Sequence, residues 1–151
     1  METQLPMFLD PSGFLRRECP TCEREFKLFH GKTEAAPEHF LEPENYTCPY
    51  CGVPASHDSW FTRAQLEYAR SASVGPIMRH LEDELRGTFD GKTTGFRFEV
   101  SSSATDPLPP PVDPDDMMMV EPPCHPFEPL KVAEDWDEPL HCLMCGQRFR
   151  V

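Results

Sequence analysis

Short runs of alternating apolar and polar residues, separated by turn residues, make up the first third of the chain. Residues 14–18 lead into a first turn, and Glu25-Phe26-Lys27-Leu28-Phe29 leaves that turn with the alternation of a strand. The next stretch, 30–44, is polar and interrupted by Gly and Pro, which predicts a loop. Residues 45–47 then enter a second turn. The pattern predicts short antiparallel hairpin arms.

A helical period replaces the strand period over residues 62–86. Thr62 and Gln65 fit a capping box, and Gly75-Pro76 in the middle predicts a kink or a break. Gly87 predicts the end of the helix. We interpret the apolar stripe as packing against the hairpins, with a partner or self-association face as the alternative. The stripe consists of Leu66, Ala69, Ser73, Ile77, Leu81 and Leu85, flanked by Val74 and Met78.

Strand-like runs and turn residues return after the helix. Asp90-Gly91 predicts a hairpin turn, and residues 95–100 alternate as a strand should. Residues 101–116 are rich in Ser, Pro and Asp, which predicts an extended, largely solvated linker. Met117-Met118-Met119-Val120 predicts a further strand, and residues 147–151 predict a last one.

Two pairs of closely spaced cysteines lie in the turns of the first hairpins. Cys19-Pro20-Thr21-Cys22 and Cys48-Pro49-Tyr50-Cys51 are separated by 25 residues. A C-x-x-C turn points two thiolates at one point in space, so two such turns on hairpin arms complete a tetrahedral site. Gly52 permits the positive φ that lets backbone N–H groups point at sulfur. The pattern predicts a Zn²⁺ site, with free thiols or disulfides as the alternative.

A second set of candidate ligands near the C-terminus predicts a second zinc ion. Cys142-Leu143-Met144-Cys145 is a complete turn followed by Gly146, Cys124 is the third ligand and His125 the fourth. His141 is the rival of His125, although in a strand its side chain would point away from that of Cys142. The alternatives are a core role for Cys124 with His125 on the surface, and a redox-active C-x-x-C pair.

These C-x-x-C turns resemble the knuckles of the zinc-ribbon superfamily, which lie at the ends of β-hairpins. The resemblance covers residues 14–56 and, less fully, residues 120–151. It implies a fold and a metal but no particular function. Glu23 departs from the pattern, because Gly often follows the second cysteine of a knuckle. The same spacing also resembles rubredoxin, which holds iron, so that an iron electron carrier is one alternative.

The predicted fold class is a small, metal-stabilised α+β fold, with two zinc ribbons and one kinked helix between them. The predicted parts are an N-terminal ribbon over 1–60, a helix and hairpin connector over 61–100, a linker over 101–116 and a C-terminal ribbon over 117–151. With 18 Pro among 151 residues, the chain is poor in core-forming residues, so we expect metal to supply stability.

The charge of the chain is strongly negative and unevenly distributed. The formal net charge is -12, and residues 99–138 contain eleven acidic residues and one basic residue. This stretch repels nucleic acid and suits a basic protein surface. No signal peptide or membrane-length apolar run is apparent, and seven cysteines without an export signal predict thiolate–metal ligation in the reducing cytoplasm.

We expect a non-enzymatic adaptor or regulatory subunit that binds another protein through the helix stripe and the acidic stretch. A site filled by four protein ligands leaves no position for a catalytic water, and the sequence offers no nucleophile array. The main alternative is a nucleic-acid-binding zinc ribbon, in which cations contact phosphates and aromatic rings stack on bases. Its candidate residues are Arg16, Arg17, Arg24 and Lys27, with Phe26 and Phe29.

Overall fold

The computed structural model describes residues 8–31, 33–88 and 108–151, over which the chain forms an α+β fold of one α-helix and small antiparallel sheets. The chain divides into two compact units. Unit 1 comprises Met1–Arg63 and Val112–Val151, and unit 2 comprises Ala64–Pro111. The turn predicted at Asp90-Gly91 and the strand predicted over 95–100 lie outside the described residues.

Every strand of the described residues belongs to an antiparallel hairpin of unit 1. The first two hairpins pair β1 (Phe14–Glu18) with β2 (Glu25–Phe29), and β3 (Asn45–Thr47) with β4 (Pro54–Ser56). The third and fourth hairpins pair β5 (Met118–Val120) with β6 (Leu130–Val132), and β7 (Leu140–His141) with β8 (Arg148–Phe149). The alternation of residues 25–29 therefore forms the predicted strand, as does the run that ends at Val120.

The first and third hairpins share a four-stranded sheet in the order β1-β2-β6-β5. Leu28 of β2 lies opposite Leu130 of β6 at the junction. The sequence predicts two separate ribbons, over 1–60 and 117–151, whereas the first and third hairpins form one sheet within unit 1. The physical reason is that the edge strand of a short hairpin has unpaired backbone N–H and C=O groups, which the other hairpin satisfies.

Backbone hydrogen bonds also join the second and fourth hairpins. The Thr47 N–H donates to the Leu143 carbonyl at 2.9 Å, and the His141 N–H donates to the Pro49 carbonyl at 2.8 Å. The turns that carry the candidate ligands are therefore tied to one another by main-chain contacts as well as by the shared sheet.

The core of unit 1 surrounds Phe26 and Trp60, whose side chains are fully buried. Their rings meet edge to face with centroids 5.6 Å apart. The Tyr50 hydroxyl donates to the Glu25 carbonyl at 2.7 Å and accepts a hydrogen bond from the Ala133 N–H at 2.9 Å. The same hydrophobic cluster includes Cys19, Cys48 and Cys142. Burial of apolar surface and placement of the thiols are therefore parts of one packing arrangement.

Two lysines of the sheet have buried side chains, because both ammonium groups form ion pairs with one carboxylate. Lys27 lies opposite Lys131 in the register of β2 and β6, and the Asp10 carboxylate is 3.2 Å from the first ammonium and 2.7 Å from the second. Burial raises the pKa of Asp10, but hydrogen bonds from Lys131, the Phe14 N–H and Lys27 outweigh burial and lower the pKa to about 2. Asp10, Lys27 and Lys131 thus form an ion cluster, in which the buried charges compensate one another.

The end of the predicted Ser/Pro/Asp linker completes this ion cluster. Asp113 lies 3.0 Å from Arg16 and 3.1 Å from Lys27, and Asp115 lies 2.8 Å from Lys131. The side chain of Asp113 is only 7% exposed. Asp113 therefore departs from the expectation of a largely solvated linker, because buried ammonium groups require anionic partners, whereas most of residues 108–116 are exposed.

Helix α1 (Arg63–Thr88) begins directly after Thr62 and runs through Pro76 without a break. The predicted start and end agree with it to within about two residues, which is the usual uncertainty of helix ends. Its apolar stripe is exposed: 52% at Leu66, 59% at Ile77 and 46% at Leu81. The preferred interpretation, packing against the hairpins, stays a prediction, because nearly all of α1 belongs to unit 2 and the hairpins belong to unit 1.

Candidate metal centres

Each of the four hairpins carries two candidate ligands in the turn between its strands. These are Cys19 and Cys22 after β1, Cys48 and Cys51 after β3, Cys124 and His125 after β5, and Cys142 and Cys145 after β7. The fold brings the turns together in pairs, the first with the second and the third with the fourth. The ligand atoms consequently form two clusters.

The first cluster consists of four thiol sulfurs, all within 4.8 Å of one another. The sulfurs of Cys19 and Cys51 are 3.7 Å apart, as are those of Cys22 and Cys48. A tetrahedral ion with Zn–S distances of about 2.3 Å separates its sulfurs by about 3.8 Å. A disulfide would need about 2.05 Å. The spacing therefore fits a metal ion, and the cysteines are free thiols.

One backbone pattern builds all three C-x-x-C turns. The carbonyl of the first cysteine accepts a hydrogen bond from the residue after the second cysteine, at 2.9 Å from Glu23, 3.0 Å from Gly52 and 2.8 Å from Gly146. This closure turns intervening N–H groups toward sulfur. The Cys22 N–H lies 3.4 Å from the Cys19 sulfur, and the Cys51 N–H lies 3.5 Å from the Cys48 sulfur. Such donors offset the negative charge of bound thiolates.

The residue after the second cysteine has a positive φ in each turn. The values are +74° at Gly52, +75° at Gly146 and +61° at Glu23. Glycine reaches this region without steric cost, whereas a side chain with a Cβ atom is strained there. Glu23 nevertheless donates its N–H to the Cys19 carbonyl. The first turn therefore keeps the knuckle geometry although it lacks the glycine, and it stores some backbone strain.

The second cluster combines three thiols with one imidazole. Its ligand atoms also lie within 4.8 Å of one another. The sulfurs of Cys124 and Cys145 are 3.4 Å apart, and His125 Nδ1 is 3.4 Å from the Cys142 sulfur. A tetrahedral zinc ion with Zn–N of about 2.0 Å and Zn–S of about 2.3 Å separates nitrogen from sulfur by about 3.5 Å. The donor set and its spacing therefore fit this ion.

The turn around His125 explains how adjacent residues can both face the cluster. The His125 N–H donates to the Pro122 carbonyl at 3.1 Å, which closes a tight turn. The imidazole meets the rings of Phe40 and Phe127 edge to face, with centroids 5.8 Å and 5.6 Å away. Thr33 hydrogen-bonds the Phe127 carbonyl at 2.7 Å. The sequence does not reveal these neighbours, because nothing in the loop 30–44 indicates which hairpin it contacts.

His141, the rival candidate, lies outside the second cluster. Its Nδ1 is 3.4 Å from the Pro49 carbonyl. Its ring lies so close to Gly52 that a Cβ atom added there would be 2.9 Å from Nε2. The ring therefore packs a hairpin of the second cluster against a knuckle of the first. His125, with its nitrogen at the Cys142 sulfur, is the residue that the structure places among the thiols.

Each cluster has a buried side and a side that faces solvent. Burial raises the pKa of the Cys48 thiol, although N–H groups of Cys51 and Tyr50 act against it. Burial also raises the pKa of Cys142, to about 12. Cys51 and Cys145, by contrast, are exposed. A bound cation would reverse the effect of burial because it stabilises the thiolate form.

Comparisons with family models, with curated proteins and with solved structures find no match for this chain. The geometry of the two clusters is therefore the basis of the functional argument. It fits two metal sites of the zinc-ribbon kind. Among the described residues, no helix combines the length and the apolar character needed to cross a membrane.

Proposed function

We propose that this chain is a non-enzymatic, zinc-stabilised adaptor or regulatory subunit that acts in the cytoplasm by binding another protein. The observation that carries the proposal is the pair of four-ligand clusters within one folding unit. A catalytic zinc keeps a coordination position for water, whereas four protein ligands fill a tetrahedral ion. The clusters thus have the composition of structural sites, and seven free thiols suit a reducing compartment.

Zn²⁺ is the metal that we assign to both clusters. Four thiolates, or three thiolates and an imidazole, are donor sets of structural zinc. A rubredoxin-like iron site needs four thiolates, so it could occupy only the first cluster. Iron–thiolate centres absorb visible light, whereas d¹⁰ zinc is colourless. A coloured protein with iron in the first cluster would favour the electron carrier over the adaptor.

A protein partner with a basic surface is supported by charge and by exposure. The formal net charge is -12. Not all of the acidic stretch is available, because Asp113 and Asp115 already pair with cations of this chain. The helix stripe adds apolar side chains with 40% to 59% of their surface exposed, from Leu66 to Leu85. Exposed apolar patches of this kind occur where proteins associate.

The nucleic-acid alternative loses support because its candidate groups already have partners within unit 1. Arg16 and Lys27 belong to the ion cluster, and the Lys27 side chain has no exposed surface. Arg17 and Arg24 lie over the rings of Phe61 and Trp136, 5.2 Å and 4.7 Å from the centroids. Phe26 is fully buried, and Phe29 packs edge to face on Phe14 at 5.4 Å.

An affinity capture with the zinc-loaded chain, read by mass spectrometry, tests the proposal. Leu81→Glu should abolish capture of the specific partner, since the side chain is 46% exposed and its replacement leaves the core intact. Ala64→Glu is the matched control, because it adds the same charge to an exposed position outside the stripe. A DNA titration accompanies the capture. Tight, salt-sensitive DNA binding that Arg24→Glu abolishes would overturn the adaptor proposal.

A further inference from the structure

A cavity of about 450 Å³ opens in unit 1 beside the loop that joins β6 to β7. Its walls include the rings of Tyr50 and Trp136, which meet at a centroid distance of 4.7 Å. Tyr50 is fixed by two hydrogen bonds, to the Glu25 carbonyl and from the Ala133 N–H. The aromatic wall therefore belongs to the core and is preformed.

The rim of this cavity is negatively charged and only partly compensated. Its carboxylates come from Glu25, Asp135, Asp137 and Glu138. Glu25 pairs with Arg16 at 2.9 Å, but among the described residues no ion pair joins the other three to a cation. Asp113 and Asp115, by contrast, form ion pairs with cations of the ion cluster. The loop around Trp136 is consequently a part of the acidic stretch whose carboxylates keep their charge for a partner.

Trp136 has a cation on its ring but no hydrogen-bond acceptor at its indole N–H. The Arg24 guanidinium lies 4.7 Å from the centroid of the Trp136 ring, a cation–π contact made within the chain. The indole N–H is buried and has no hydrogen-bond acceptor among the described residues. A buried donor without an acceptor is unfavourable. The indole therefore offers an aromatic face for a cation, and its unpaired N–H marks this loop as a place where the packing is incomplete.

We propose that this cavity binds an arginine side chain from a basic peptide segment of the partner protein. The guanidinium would stack on the aromatic wall and pair with the carboxylates of Asp135, Asp137 and Glu138. Arginine fits better than lysine, because its planar group stacks on rings and bonds carboxylates in two places. The inference rests on the proposed adaptor function, for which it names the contact point and the partner's chemistry.

NMR of the zinc-loaded full chain tests the inference with a defined probe. The two tryptophans give separate indole signals, and the fully buried Trp60 serves as the internal reference. The probe is the synthetic peptide acetyl-Gly-Arg-Gly-Arg-Gly-amide, with a lysine version for comparison. We expect a saturable shift of the Trp136 signal and a stationary Trp60 signal, with weaker binding of the lysine peptide.

Two pairs of variants separate a local site from general attraction. Asp137→Asn should weaken binding about three- to fivefold, as expected for one exposed ion pair, whereas Asp83→Asn in α1, with the same charge change, should not. Arg24→Gln should tighten binding because it removes the internal competitor for Trp136, whereas Arg63→Gln should not. Zinc content and the Trp60 signal confirm that each variant is folded.

A stationary Trp136 signal at millimolar peptide would overturn the inference, as would equal weakening by Asp137→Asn and Asp83→Asn. The adaptor proposal is judged separately by partner capture. Capture that depends on Leu81 but is unaffected by Asp137→Asn would retain the adaptor function and reject this cavity as its contact point. If no variant and no unaltered chain captures a partner, but the peptide still shifts the Trp136 signal, the cavity is retained as an arginine site and the adaptor function is rejected.

Discussion

The two ligand clusters have similar geometry but are built from different turns. The first uses two C-x-x-C knuckles, each closed by its own backbone hydrogen bonds. The second uses one knuckle and the Cys124–His125 turn, whose imidazole is held by the rings of Phe40 and Phe127. A knuckle is therefore a local device, whereas the irregular half of the second cluster depends on a loop from another part of unit 1. Variants of the ligands and of the knuckle residues after them test this difference.

Metal removal should have the largest effect. Chelation should unfold unit 1, because structural zinc contributes on the order of ten kcal/mol to small domains. Cys48→Ser should likewise unfold the hairpins that carry the first cluster, since this thiol is fully buried in the core that includes Phe26. Hydrogen exchange of the amides in β2 and β6 measures the loss. Protection that persists without metal would show that the apolar core folds unaided.

His125→Ala should affect the second cluster alone. Loss of one of four ligands should reduce metal affinity there at least about a hundredfold, since even outer neighbours of ligands contribute ten- to hundredfold. The first ion should remain bound. His141→Ala is the control, because this ring lies against Gly52 and not among the thiols. A competitive chelator titration measures both sites, and unchanged affinity after His125→Ala would assign the fourth position to another group.

Gly52→Ala should destabilise the contact between the clusters by about 2 kcal/mol, from a strained φ and a clash with the His141 ring. The double variant Gly52→Ala/His141→Ala should recover the steric part and keep the backbone part. Denaturant unfolding of the zinc-loaded variants measures the free energies. Equal losses in the single and double variants would mean that the His141 ring does not support the knuckle.

Glu23→Gly should have the smallest effect and the opposite sign. Relief of the left-handed strain at φ +61° should stabilise the first knuckle, and the greater freedom of glycine in the unfolded chain offsets part of the gain. We expect a net increase of about 0.5–1 kcal/mol in the free energy of unfolding. Arg24→Gly is a control without this strain and should only destabilise. A decrease with Glu23→Gly would contradict the strain.

The sequence predicted the local elements better than their assembly. Alternation marked the strand at residues 25–29, and C-x-x-C spacing marked the turns, because both patterns act over a few residues. The pairing of Leu28 with Leu130 across the shared sheet joins positions about a hundred residues apart, and no local pattern specifies it. The helix was predicted from its period, but a period cannot tell a buried stripe from an exposed one.

Burial of charge was the least predictable feature. Lys27 occupies an alternating strand position that suggests a solvent-facing side chain, which makes it a candidate nucleic-acid contact in the sequence. Its burial depends on Asp10 and Asp113, which reach it from separate segments of the chain. Asp113 lies in the predicted linker, and no pattern in that segment indicates that its carboxylate pairs with Lys27. Such compensation becomes visible only when the fold brings the segments together.

Native mass spectrometry of the intact chain, with elemental analysis of the same sample, tests the central claim most directly. The two four-ligand clusters predict two zinc ions per chain. Cys48→Ser should reduce this number to one if the second cluster still folds. A single ion in the unaltered chain, or iron in place of zinc, would contradict the account.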